Sequence, residues 1–293
     1  MMDKKERAAL LSVAANASMV VLKIATGIYT GAMSVVSEGI HSSVDLFSAM
    51  GQFFAIKKAK APPDKEHDYG HGKFENVSAG TESILIMMAG IMIALHAVES
   101  IKSHREPETI TLGVIVMSVS VILNFVVSSY LMKVAKETSS QALRADAIHL
   151  RADIWTGVGV LLGLGLIKLT GLMWLDSVIS LGVAFVIIHA GASLAKSAFL
   201  ELTDASLPPE EEDKIIGVIR SIPEVRGLHA LRTRRSGDVK MLDVHVLFDG
   251  PLPLSRVHAI CDELEEKIRR IGSDKMDILI HPEPYGHIEE NKE

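Results

Sequence analysis

The sequence predicts a membrane-embedded all-α bundle of six transmembrane helices, followed by a small cytoplasmic α+β domain. Three observations carry this expectation. The chain has 293 residues, 48% of them hydrophobic, and a mean hydropathy of +0.29, above what a soluble domain of this length shows. Its apolar residues fall into six runs, each near the twenty-odd that cross about 30 Å of hydrocarbon as a helix. After about residue 205 the runs stop and charged residues crowd in. Several classes are excluded at once. A net charge of −6 argues against a nucleic-acid partner. The single cysteine, Cys261, rules out a disulfide scaffold and a four-cysteine zinc or iron–sulfur site. The 13 methionines form no closely spaced cluster that would favour copper(I). The 12 histidines are the unusual entry.

The six expected spans cover roughly residues 8–30, 32–56, 78–101, 111–134, 143–168 and 174–199. The first is too long for the core of a signal peptide and lacks its small-residue cleavage site. Gly, Ala and Leu dominate and polar residues recur every three or four positions, a helical period. Gly157, Gly163 and Gly165 would permit close helix packing. Basic residues set the orientation. Lys4, Lys5 and Arg7 precede the first span, Lys57, Lys58, Lys60, Lys65 and Lys73 follow the second, and Lys133 and Lys136 end the fourth. The 169–173 turn has no charge, and the 102–110 loop is mixed. Both termini are therefore expected in the cytoplasm of a protein of the cell's inner membrane. Lys23 and Lys168 are expected to snorkel to the far interface.

The chain divides into a membrane domain (1–205), a cytoplasmic domain (206–285) and a solvated tail (286–293). The segment "LPPEEEDK" reads as a linker and helix start, with Pro near the first turn and acids at the positive end of the helix dipole. A helix at about 209–221, strands at 225–235 and 239–248, a helix at 254–271 and a strand at 276–281 follow. The order αββαβ predicts a small ferredoxin-like sheet with two helices on one face.

Two of the spans carry polar stripes. Ser34, Glu38, His41, Asp45, Ser48 and Gln52 share one face of the second, and Asp146, His149, Asp153 and Thr156 one face of the fifth. Each stripe contains H-x-x-x-D, His41 with Asp45 and His149 with Asp153, at similar depth in antiparallel helices. An ionised Asp near the bilayer centre costs about 2.5–3.5 kcal/mol on insertion scales, so two demand compensation. One such pair alone reads as a His–Asp hydrogen bond. Two pairs facing each other offer two imidazoles and two carboxylates to a tetrahedral divalent cation, zinc above all. The remaining intramembrane polar residues have simpler readings. Asn16, Glu82 and Asn124 are expected to make interhelical hydrogen bonds, His96 and His189 to be packing or mouth residues, and Asp146 to line a vestibule or interface.

Two further groups stay open on spacing alone. Asp64, His67 and His71 lie within eight residues beside Gly70 and Gly72, and read either as a metal loop or as a solvated loop bent by its glycines. In the cytoplasmic part His229 and His245 fall on strands, His258 on a helix, and His281 ends the last strand two residues before Glu283. Four histidines in such a span are either ligands or ordinary surface residues.

The paired H-x-x-x-D stripes, the six spans and the cytoplasmic domain resemble the cation diffusion facilitator family over roughly residues 8–285. The resemblance implies a homodimeric transporter in the lipid bilayer rather than an enzyme, with neither nucleic acid nor an organic substrate as partner. It implies a metallochaperone-like cytoplasmic domain and a Zn2+/H+ antiport that exports zinc, with cadmium, cobalt, iron or manganese as other cargoes. The transport ligands would be His41, Asp45, His149 and Asp153. The "GHGK" segment would make Asp64, His67 and His71 a loop metal site and pair Lys73 with Asp204. His229, His245, His258, His281 and Glu283 would form a regulatory zinc cluster at the dimer interface, with Glu283 in place of a more usual Asp. Two other readings compete: an intramembrane metalloprotease, whose H-E-x-x-H motif is absent, and a membrane-bound metal sensor that moves nothing.

Overall fold

The computed structural model describes residues 2–30, 33–103, 111–170, 174–271 and 275–286. The 104–110 part of the mixed loop, the 171–173 turn, and the expected tail from residue 287 lie outside them, as do the side chains of Ser34, Glu38 and Lys168. The chain forms two compact units, Met1–Phe199 and Leu200–Glu293.

The first unit is built from six long helices: α1 (Lys4–Thr30), α2 (Met33–Ala59), α3 (Phe74–Ser103), α4 (Thr111–Thr138), α5 (Gln141–Thr170) and α6 (Trp174–Leu202). Among the described residues four of them, α1, α3, α4 and α6, are long and apolar enough to cross a membrane. The expectation of six apolar spans is met for those four. Helix α2 interrupts its apolar sequence with Asp45, Lys57 and Lys58, and α5 does so with Arg144, Asp146, Arg151 and Asp153. Helix α5 sits at the centre. Its Leu143, Ala147 and Leu150 pack with Ala8, Ile56, Leu131 and Val134 of α1, α2 and α4. Its Ala145 joins Ala79, Ile86, Ile187 and Leu194 of α3 and α6. Small residues allow the close approaches: a Cβ built on Gly157 would lie 2.6 Å from Val121 Cγ2, whereas Gly165, expected to do the same, has open space around it. Ser140 starts α5 as its cap, its hydroxyl accepting the N–H of Leu143 at 3.3 Å.

Ion pairs gather where the helix ends meet on the side of the amino terminus. Lys5 reaches the buried Glu75 at 2.9 Å, Lys60 lies 3.3 Å from both Asp3 and Glu6, and Lys4 pairs with Glu137.

The second unit holds α7 (Pro209–Arg220), β1 (Val225–Ser236), β2 (Val239–Phe248), α8 (Leu254–Arg269) and β3 (Lys275–Pro284). The sheet order is β1-β2-β3, antiparallel between β1 and β2 and parallel between β2 and β3. Alternation along β2 sends Leu242, Val244, Val246 and Phe248 into one core with Ile215 and Ile219 of α7 and Ile260, Leu264 and Ile268 of α8. Both helices therefore cover one face, and the odd-numbered residues of β2 point to the other.

Candidate metal centres

Asp45 on α2 and His149 and Asp153 on α5 meet inside the first unit, with one ligand atom from each lying within 4.8 Å of the others. His149 Nε2 is 3.2 Å from Asp45 Oδ1 and 3.9 Å from Asp153 Oδ2. The i, i+4 step puts His149 and Asp153 on one face of α5, as their spacing predicts. His41 does not join them. It sits one turn before Asp45, exposed, on the wall of a cavity of about 750 Å³ that reaches Asp45 and Asp153.

The cavity runs from these ligands toward the carboxy-terminal ends of α1, α3 and α5, past Lys23, His96, Asn124 and Thr156. Lys23 does not snorkel: its side chain is buried and its ammonium donates to Ser42 Oγ at 2.9 Å. On the other side of the ligands the interior is closed. Asp146 is buried there, one turn of α5 before His149, rather than at a mouth. Asn16 bonds within its own helix, to Ser12 O at 3.1 Å, instead of across helices. His189 stacks near Phe185, a packing role.

Glu82 is the residue whose place the sequence conceals. It is 3% exposed on α3, its Oε2 accepts the hydroxyl of Ser48 on α2, and its Oε1 lies 2.5 Å from His149 Nδ1. The interhelical bond expected of it exists, to Ser48, and its other oxygen lies against a metal-ligand candidate. A lone Glu on an apolar helix, with no charged residue or histidine at i±4 to pair with, gives no sign of this.

The α2–α3 loop assembles its three candidates completely, Asp64, His67 and His71 lying within 4.8 Å. Asp64 Oδ1 accepts the backbone N–H groups of Glu66 and His67 at 2.9 Å each, which hold its carboxyl below the ordinary aspartate range. Gly70, at φ +79, supplies the left-handed turn, closed by its N–H to His67 O at 2.9 Å. His71 has a side chain 1% exposed and neither ring nitrogen makes a hydrogen bond, although Asp64 Oδ2 is 3.3 Å from Nε2. A buried imidazole with both nitrogens unsatisfied is costly, and a cation shared with Asp64 and His67 satisfies it. Lys73, at the foot of α3, belongs to the first unit. Asp204 belongs to the second, at φ 59, and accepts from Arg234 Nη1 at 3.2 Å.

In the second unit the register draws three histidines into one row: His229 pairs with His245, and His245 with His281. The row lies on the helix-free face. Glu283 completes it, with Oε2 at 2.8 Å from His229 Nε2 and Oε1 at 2.8 Å from His245 Nδ1. Those two imidazoles, His229 first, hold the Glu283 carboxyl below its ordinary value. His229, His245 and Glu283 form a three-ligand set, and His281 Nε2 stands 3.5 Å from Glu283 Oε1. His258 is not part of it. It lies exposed on α8, beside Asp262 at 3.7 Å, because α8 covers the opposite face of the sheet.

Residues 9–203 match the family described as the cation efflux transmembrane domain, and residues 207–285 the cytoplasmic domain of cation efflux proteins. An uncharacterized transporter of Synechocystis sp. is 36% identical over 279 residues, 94% of this chain and 89% of that protein. The cation-efflux pump FieF of Shigella flexneri is 32% identical over 280 residues, 95% of this chain and 92% of that protein. Among solved structures, the metal-bound C-terminal domain of the CzcD transporter from Thermotoga maritima aligns with 27% of this chain and 93% of its own length, at 26% identity and a TM-score of 0.27. With both halves matched and relatives aligned along most of their length, the chain belongs to the cation diffusion facilitator family and is a membrane-spanning cation efflux transporter.

Proposed function

We propose that the chain exports zinc from the cytoplasm in exchange for protons, as a homodimer whose six helices span the cell's inner membrane with both termini cytoplasmic. One observation carries this reading: Asp45, His149 and Asp153 converge within 4.8 Å in the helical unit. Two carboxylates and an imidazole are a borderline-to-hard donor set that suits Zn2+, ahead of cadmium, cobalt, iron and manganese. His41, on the cavity wall one turn away, is the fourth ligand once α2 moves. Zinc takes the lone pair of a neutral imidazole, so its arrival at His149 Nε2 displaces the proton held there, and release lets the proton return. With the termini in the cytoplasm, the cavity faces outward and the ion pairs of Lys4, Lys5 and Lys60 close the inner end.

The loop and sheet clusters would hold metal that stays with the protein. Bound at the loop, it satisfies His71. Bound at the sheet, it draws His229, His245, His281 and Glu283 together at the dimer contact, where His258 of the second copy completes the set, and biases the dimer toward its transport-competent state. The Lys73–Asp204 pairing that joins the two domains belongs to the same reading.

Vesicles loaded with a pH dye test the exchange. Zinc-driven proton flux is expected in the unmodified protein and lost in His149→Ala; unchanged flux in that variant refutes the coupling. A proteoliposome uptake series with Zn, Cd, Co, Mn and Fe, with Asp153→Ala as control, ranks the cargoes.

A further inference from the structure

We infer that Glu82 is a positioning residue for the transport site: its carboxylate fixes the His149 ring so that Nε2 faces Asp45 and Asp153. This deepens the proposed transport role of that site and rests on it.

The geometry gives Glu82 two anchors and no other evident purpose. Its side chain is buried in α3, among residues otherwise apolar or small. Oε2 accepts from Ser48, which lies three residues after Asp45 on α2. Oε1 lies 2.5 Å from His149 Nδ1 but off the line of a hydrogen bond, and it is a buried oxygen with no hydrogen-bond partner among the described residues. One carboxylate from a third helix therefore braces both ligand-bearing helices, and the spacing of α2 and α5 sets the distance between Asp45 and Asp153.

The ring chemistry gives the brace its consequence. A neutral imidazole has one N–H donor and one lone-pair nitrogen. The nitrogen that faces a fixed carboxylate keeps the proton, and the opposite nitrogen presents its lone pair. Carboxylates stand at both nitrogens here, Asp45 Oδ1 and Asp153 Oδ2 at 3.2 and 3.9 Å from Nε2 and Glu82 Oε1 at 2.5 Å from Nδ1; a cation shared by the two aspartates takes the Nε2 lone pair, which leaves the ring proton on Nδ1 against Glu82. Glu82 Oε1 is on the far side of the ring from those oxygens. It acts through His149 and is not itself a ligand of the ion that His149 Nε2 would share with them. Without it the ring is free to turn and offer either nitrogen, and the polar tie from α3 to Ser48 of α2 and His149 of α5 is lost while the apolar packing of α3 on α5 remains.

The test is a zinc titration of the full chain in nanodiscs by calorimetry, with the component lost in Asp153→Ala taken as the transport site. Glu82→Leu is expected to weaken that component about 10- to 100-fold. Glu82→Gln, whose side-chain oxygen still accepts from Nδ1–H, is expected to stay close to the unmodified protein. Full affinity in Glu82→Leu overturns the inference. So does a loss in Glu82→Gln as large as in Glu82→Leu, since the charge and not the acceptor would then matter. A second measurement needs no Glu82 variant. In the unmodified chain, labelled with 15N-histidine and loaded with 113Cd, the signals lost in His149→Ala identify the ring. Cadmium coupling to Nε2 with a protonated Nδ1 is expected, and coupling to Nδ1 contradicts the proposal. If Asp153→Ala removes no component at all, it is the transport-site reading that fails.

Discussion

At the scale of single residues, side chains that belong to one helix face were readable from spacing, and those supplied by a separate element were not. His149 and Asp153 declare themselves by a four-residue step. Glu82 meets His149 from another helix, 67 positions away in sequence, so no local pattern announces it. His41 and His258 were readable as candidates, but the fold leaves each outside its cluster within one protomer. The loop gives the sharpest residue-level prediction. His71→Ala is expected to remove one equivalent of tightly bound zinc, counted by atomic absorption after dialysis, while Gly70→Ala costs about 1–2 kcal/mol in loop stability because a Cβ resists φ +79. A surface pair supplies a pH dependence. Arg226 grips Asp249 through two bonds, at 2.9 and 2.8 Å, and holds that carboxyl below the usual aspartate value of 3.8. A depressed carboxylate stabilises the fold above its unfolded pKa, and the contribution is lost as pH falls through the lower folded value. Arg226→Ala is therefore expected to lower the denaturation midpoint of the cytoplasmic unit slightly at pH 7, and to make no difference once the pH is below the range in which Asp249 ionises.

At the scale of elements, helix existence was legible because long apolar runs leave few alternatives, while β register was not. The row His229–His245–His281 depends on a shift in the β1–β2 pairing between His229 and Arg232, beside Ala230 at φ 49, and on the parallel pairing of β2 with β3. Neither is encoded by hydrophobic alternation, which fixes only the face. The polar stripes of α2 and α5, together with the basic residues Lys57, Lys58, Arg144 and Arg151, lower the hydropathy of these two helices. Close contact between α1 and α2 is set by Gly39, where a Cβ would lie 2.6 Å from Ile24 Cγ1 and 3.1 Å from Ile24 N. Gly39→Leu is expected to cost about 1–3 kcal/mol by overpacking, and to slow zinc uptake because α2 carries Asp45. At the closed end, Lys5→Ala leaves Glu75 buried without its lysine. Hydrogen exchange of the first turns of α1 and α3 should rise in that variant while the middle of α5 stays protected; equal protection throughout would show that the pair does not hold this end.

At the scale of the whole molecule, two separately packed units differ in what they gather: one brings two carboxylates and an imidazole together among helices, the other presents a row of histidines with Glu283 on the helix-free sheet face. The cytoplasmic unit stands on its own core, so Ile260→Ala, at a fully buried position, is expected to cost it about 2–5 kcal/mol, measured by denaturant unfolding, without altering zinc affinity at the helical site. In the sequence, charge and strand patterning replace apolar runs after residue 205, whereas the compact units divide between Phe199 and Leu200, inside the last long helix. What the sequence left hidden was the asymmetry of the helical unit, open past Lys23 and His96 and closed around Asp146 and Glu75, because that depends on how the helices lean and not on what each contains. The central claim is that Asp45, His149 and Asp153 hold the ion in transit. Its most direct measurement is zinc uptake into proteoliposomes by the chain carrying Asp45→Ala and Asp153→Ala together, under a fixed proton gradient. Uptake should fall to the rate of protein-free liposomes; uptake at the rate of the unmodified protein would contradict the account.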